Sequence, residues 1–110
     1  MTHIVPLHAI VIADGTRTTV SVTGELDIDT APELRQALDA ALSDGATRIE
    51  VDFSGVEFCD CSGLSVLIQA RRRSREQGCA FRIVEVRSPL VRRLFLTTGT
   101  LATLTGSATG

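Results

Sequence analysis

From Val51 to Leu64 the chain reads Val-Asp-Phe-Ser-Gly-Val-Glu-Phe-Cys-Asp-Cys-Ser-Gly-Leu, and this stretch holds the residues best placed to do chemistry. Asp60, Cys61 and Ser62 stand just before an apolar helical stripe, which puts Ser62 near a helix N-terminus. There the first backbone N–H groups lack partners and the helix dipole is positive. A hydroxyl in that place has two roles open to it. It caps the helix, the common role of serine there, or it accepts a phosphoryl group whose oxygens the N–H groups bind. Gly63 leaves the approach unobstructed. Asp60 is an acceptor for a nearby hydroxyl or N–H, and it would repel an added phosphate.

The other reactive side chains form no comparable group. Cys59 and Cys61 make a C-x-C pair, but a structural zinc site needs four ligands, and only Cys79, His3 and His8 remain, far along the chain. No metal or cofactor is expected. A thiol near a helix N-terminus is the setting of redox sensors, a second reading for Cys61; a small buried cysteine of a reducing compartment is the plain one. Glu25, Asp27 and Asp29 crowd a strand end, yet no nucleophile–base pair accompanies them. Arg71, Arg72, Arg73 and Arg75 fan around the exposed side of a helix, as a solvated face or a contact to an acidic partner. There is no Walker loop and no GxGxxG, so the chain is not expected to be an enzyme.

These residues need a scaffold, and the whole chain offers one domain. Its 110 residues fit one ordinary domain, and 44% of them are apolar, enough for a real core. Eleven basic against thirteen acidic residues give a net charge of −2, which argues against nucleic acid as a partner. Four Phe with no Trp or Tyr leave little to stack on bases. Three cysteines make no disulfide framework, and no signal-like or membrane-spanning run is present. The expected setting is cytoplasmic, without membrane insertion.

Along the chain, Ile10 and Ile12 precede Asp14-Gly15, and Val20 and Val22 follow, which predicts an N-terminal hairpin. Thr30 and Glu33 have capping-box spacing at the head of a helix carrying Leu34, Leu38, Ala41 and Leu42, with a stop at Gly45. Ile49, Val51 and Phe53 alternate as a third strand, and Ser54–Ser62 reads as a polar interruption. A second helix is expected from Gly63 to Gln77, and a fourth strand over Phe81–Val86. Ser88-Pro89 opens a third helix that ends at Gly99. One short strand is expected at Leu101–Leu104, with residues 105–110 a frayed tail. The sum is an α/β domain over 1–110, core about 7–104: a mixed four- to five-stranded sheet with an N-terminal hairpin, covered by about three helices.

Gly24-Glu25-Leu26-Asp27, Asp60-Cys61-Ser62-Gly63-Leu64 and Ser88-Pro89-Leu90-Val91-Arg92-Arg93-Leu94-Phe95 occur in this order. Together they resemble the STAS-domain anti-sigma-factor antagonists of bacteria, over about residues 7–104. The resemblance implies a STAS-type fold and a regulatory role. It implies that an anti-sigma factor that is also a GHKL-type serine kinase phosphorylates Ser62. The unphosphorylated antagonist binds that kinase and releases the sigma factor, and a PP2C-type phosphatase reverses the modification. It also implies a partner-facing surface at Asp27, Asp60, Cys61, Gly63 and Leu64. Two departures stand out. Cys61 replaces the serine that often precedes the phospho-acceptor, which leaves Ser62 the single hydroxyl of the motif. The family pattern also continues past the last strand into another helix, where this sequence ends at Gly110. A STAS accessory subunit bound to the ATPase of a membrane transporter is the alternative on the same fold, and a sensor module built on Cys61 is a third.

Overall fold

The computed structural model describes residues 6–106. Strands β1 (His8–Asp14), β2 (Arg17–Leu26), β3 (Arg48–Cys59) and β4 (Ala80–Val84) lie side by side in that order. The β1–β2 pair is antiparallel, and β2–β3 and β3–β4 are parallel. Helices α1 (Ala31–Ser43), α2 (Cys61–Glu76), α3 (Pro89–Thr97) and α4 (Leu101–Thr105) complete the fold. The mixed sheet with its N-terminal hairpin is as the sequence predicts. The hairpin turns one residue later than Asp-Gly suggests. Asp14 pairs with Arg17, and Gly15 takes a φ of 64° at the first turn position.

The register aligns Val20, Val51 and Ile83 across three strands. With Val22, Ile49 and Phe53 they are buried against the helices. α1 and α2 pack on each other, while α3 lies against β3 and α4 against β4. Phe95 of α3 meets Phe53 of β3 with ring centroids 6.3 Å apart, which fixes α3 to the strand that leads into α2.

Four expectations are corrected. The polar stretch Ser54–Ser62 is mostly strand, because β3 continues to Cys59. Its buried residues there are Phe53, Val56 and Cys59, spaced by three, and the β2–β3 ladder shifts register between Ser21 and Thr23 and again between Gly24 and Glu25. Bulges of this kind break the two-residue period that marks a strand in sequence. The fourth strand stops at Val84, where Glu85 takes a left-handed φ of 60°. Leu101–Leu104 is helical, since Leu101 and Leu104, three apart, turn together onto the core. Thr105 closes that helix and Gly106 caps it, so the expected fraying does not begin at 105; residues 107–110 lie outside the described residues.

The sheet face away from the helix-covered core carries a buried charge. Glu50 is 4% exposed. It accepts from Arg17 Nη2 at 2.7 Å and from Arg82 Nε at 2.9 Å, so one carboxylate ties three strands. The Arg82 hydrogen bond holds its carboxyl below the usual range, against the opposing effect of burial. A lowered carboxylate pKa stabilises the fold above the unfolded-state value, and that stability is lost as pH falls through the folded value. Both guanidiniums are half-exposed, so the pair is worth little more than a surface one. Glu50→Gln is therefore expected to cost about 1 kcal/mol at neutral pH. Urea melts of both proteins should show that gap closing as the pH drops below the usual carboxylate range.

Candidate functional site

The site forms where β2 and β3 end together. Leu26 pairs with Cys59, and the N–H of Asp60 donates to the carbonyl of Leu26 at 3.0 Å. Each strand therefore delivers an acidic residue, Asp27 and Asp60, to the same end of the sheet. Asp60 is extended, with φ −107°, and its carboxylate accepts from the N–H of Ser62 at 2.9 Å and of Gly63 at 3.3 Å. Its carbonyl accepts from Leu64 N–H at 3.0 Å. Asp60 is thus the N-cap of α2, and capping is not the role of Ser62.

Ser62 is the second residue of the helix and half-buried. Its hydroxyl makes no hydrogen bond among the described residues. Two of the N–H groups that sequence reasoning offers to a phosphoryl group are already held by Asp60. A phosphate on Ser62 would stand beside an acidic cap that has taken its nearest donors.

Gly63 does more than leave the loop open. A Cβ there would lie 2.3 Å from Leu26 Cγ and 3.0 Å from Cys59 Sγ, so the glycine lets the first turn of α2 press onto the ends of β2 and β3. Leu64, expected on the partner-facing surface, is instead buried at 5% exposure, because its side chain seats the helix in the core. Cys61 is exposed at the helix start, next to Ser62. Cys59 is buried, and desolvation, reinforced by the neighbouring Asp60 and Cys61, pushes its thiol up to about 12. Cys79 is buried just before β4, where burial raises its thiol as well. No group of three or more potential ligands able to hold a metal occurs among the described residues, and His3 lies outside them.

The Asp27 loop holds itself. Asp27 Oδ1 accepts from Asp29 N–H at 2.9 Å and Thr30 N–H at 3.1 Å. Thr30 is buried, and its hydroxyl donates to the carbonyl of Glu25 at 2.8 Å and accepts from Asp27 N–H at 2.9 Å. The capping box expected of Thr30 and Glu33 is absent: Thr30 makes no side-chain cap bond, because its hydroxyl is turned back to the loop. Ser88 is the N-cap of α3 as expected, accepting from Val91 N–H at 3.4 Å. Its hydroxyl also donates to the carbonyl of Glu57 at 2.8 Å, a tie to β3 that the sequence did not announce.

Three exposed apolar side chains lie around this end: sequence reasoning passes over Ile28 and Phe58, and the i,i+4 spacing of Leu90 with Leu94 wrongly sets Leu90 on the inner face of α3. Ile28 is 71% exposed, Phe58 39% and Leu90 62%. Ile28 follows Asp27, Phe58 precedes Cys59, and Leu90 sits in the first turn of α3, which Ser88 ties to β3. Exposed apolar residues beside a polar centre are the composition of a protein-binding surface. Hydrophobic periodicity could not separate them from core residues.

The cap can be tested directly. Asp60→Ala is expected to cost about 1–2 kcal/mol, and Asp60→Asn, an equally good cap, to be near neutral. Thermal melts of the two variants give the comparison.

Comparison with known proteins bears on the family and the fold. A family model described as "Mlab, STAS domain" matches residues 11–104. The chain is 34% identical over 80 residues to the anti-sigma-B factor antagonist of Staphylococcus aureus, covering 73% of each protein. An anti-sigma factor antagonist from Mycobacterium paratuberculosis superposes with a TM-score of 0.75 at 32% identity, over 89% of this chain and 82% of that one. The Bacillus cell fate determinant SpoIIAA in its phosphorylated form shares the fold, with a TM-score of 0.64 at 23% identity over 89% and 88% of the two chains.

Proposed function

The chain belongs to the STAS domain family, among the anti-sigma factor antagonists, and we propose that it is a partner switch thrown by phosphorylation of Ser62. The unmodified protein binds an anti-sigma factor of the GHKL serine-kinase type and frees the sigma factor. That kinase phosphorylates Ser62 and the complex falls apart. A PP2C-type phosphatase removes the phosphoryl group and restores binding.

One observation carries the reading. Ser62 stands in the first turn of α2 with a hydroxyl that makes no hydrogen bond among the described residues, because Asp60 has taken over the capping. The hydroxyl is therefore free to be modified without loss of the helix start. Around it, Asp27, Asp60 and Cys61 with the exposed Ile28, Phe58 and Leu90 make the docking surface. A phosphoryl group adds about −1.5 to −2 charge there. The switch is local charge at an interface rather than a change of fold, and Ser62 is a substrate, not a catalyst. SpoIIAA, similar in fold, is known in a phosphorylated form, which supports phosphorylation as the switch.

Calorimetric titration against the anti-sigma factors of the source genome tests the binding half. The expected result is a stable complex with one of them and displacement of its sigma factor. Binding to none, with retention by a transport ATPase instead, would overturn it in favour of the accessory-subunit reading.

A further inference from the structure

β1 is an edge strand, and nothing among the described residues pairs with its outer side. Exposed edges are ordinarily blunted by lysine, proline or a bulge. Residues His8–Asp14, His-Ala-Ile-Val-Ile-Ala-Asp, contain no Lys, Arg, Pro or Gly, and β1 pairs with β2 without a register shift. Ile10 and Ile12 are 59% and 55% exposed on the face away from the core. Such an edge is a template for another strand.

The sequence of the edge specifies which strand. Ala9-Ile10-Val11-Ile12-Ala13 reads the same in both directions, and the flanking residues are His8 and Asp14, a donor and a carboxylate. Two antiparallel copies related by a two-fold axis through Val11 would set Val11 against Val11, Ala9 against Ala13, Ile10 against Ile12 and His8 against Asp14. Every pair is matched in size or as donor and acceptor.

The backbone has the parity this requires. Asp14 and Arg17 flank a two-residue turn and so form a hydrogen-bonded pair. Bonded and non-bonded pairs alternate along an antiparallel ladder. His8, Ile10, Ile12 and Asp14 therefore direct their N–H and C=O groups to β2, while Ala9, Val11 and Ala13 direct theirs outward. An axis through Val11 lets these outward groups bond to Ala13, Val11 and Ala9 of the second copy. Ile10 and Ile12 then meet as non-bonded pairs, where side chains approach most closely.

We propose that the outer edge of β1 is a self-association site, which joins two copies of this chain into one continuous sheet about a two-fold axis at Val11. The contact is isologous and closes on itself, so it gives a dimer and not a fibre. It runs along the lateral edge of the sheet, whereas Ser62 sits at the end of β2 and β3, so the inference does not depend on the switch.

Sedimentation of the full chain from micromolar to millimolar concentration tests it. A monomer–dimer equilibrium is expected. Val11→Pro should abolish the dimer and leave the fold intact by circular dichroism, since the lost N–H faces away from β2. Ile12→Lys, at an exposed position, should weaken it as well. His8→Asp should weaken it about tenfold or more, and His8→Asp combined with Asp14→His should restore it, which only this antiparallel register explains. A monomer throughout the range would overturn the proposal, as would a dimer that survives both Val11→Pro and Ile12→Lys in folded protein, or a failed rescue by the double exchange.

Discussion

Ser62→Asp is expected to bind the cognate anti-sigma factor at least about tenfold more weakly than the wild type, while Ser62→Ala binds it nearly as well; a tenfold change is about 1.4 kcal/mol. The charge enters beside Asp60, whose carboxylate already holds the Ser62 and Gly63 N–H groups. Two like charges about 6 Å apart cost about 0.7 kcal/mol in water and about 3 kcal/mol at an effective dielectric near 20. Docking over the exposed Ile28, Phe58 and Leu90 removes water from the site and moves the cost toward the larger figure. An aspartate carries less charge than a phosphoserine, so the true modification has the larger effect. The fold should not register the change. Acidic residues are tolerated in the first turn of a helix, and melting of Ser62→Asp should stay within about 1 kcal/mol of wild type. Calorimetric affinities for the three proteins decide the matter, and a Ser62→Asp variant that binds like wild type would detach the serine from the switch.

The second large effect is on Gly63, where two arguments give opposite signs. Helix propensity alone favours Gly63→Ala by up to about 1 kcal/mol. The added Cβ, however, would stand 2.3 Å from Leu26 Cγ and 2.6 Å from its Cδ2. Leu26 is fully buried and Cys59 Sγ closes the other side, so neither neighbour has free space to retreat into. Overpacking of this kind costs about 1–3 kcal/mol, and it outweighs the propensity gain. Gly63→Ala is expected to lower Tm by about 4 °C or more and to weaken partner binding together with stability, because Ser62 rides on the displaced turn. A variant that melts higher than wild type would show that α2 does not sit as close to the strands as described.

How far the sequence discloses all this varies by element. The hairpin, α1, α2 and α3 are legible because apolar residues repeat at two or at three and four, between glycine and proline stops. The end of β3 is not, because bulges change its spacing to three and fill it with polar residues that only the neighbouring β2 explains. Leu101–Leu104 is ambiguous for a different reason. Four residues are too few to distinguish a strand from a helical turn, and packing on β4 and α2 decides. At the site, the order Asp60-Ser62-Gly63 locates the helix start, but which side chain caps it depends on backbone angles. Asp60 rather than Ser62 takes that role. The need for glycine at 63 comes from Leu26, distant in sequence, and the exposure of Ile28, Phe58 and Leu90 is a property of the surface alone.

The central claim is that Ser62 is the acceptor of the switch, and intact mass measures it most directly. Wild type and Ser62→Ala are incubated with ATP, magnesium and each anti-sigma factor kinase of the source genome. The account predicts a gain of one phosphoryl group, about 80 Da, in the wild type and none in Ser62→Ala, with the wild-type mass restored by a PP2C-type phosphatase. Equal phosphorylation of both proteins, or a kinase that binds the wild type tightly and never modifies it, would contradict the account.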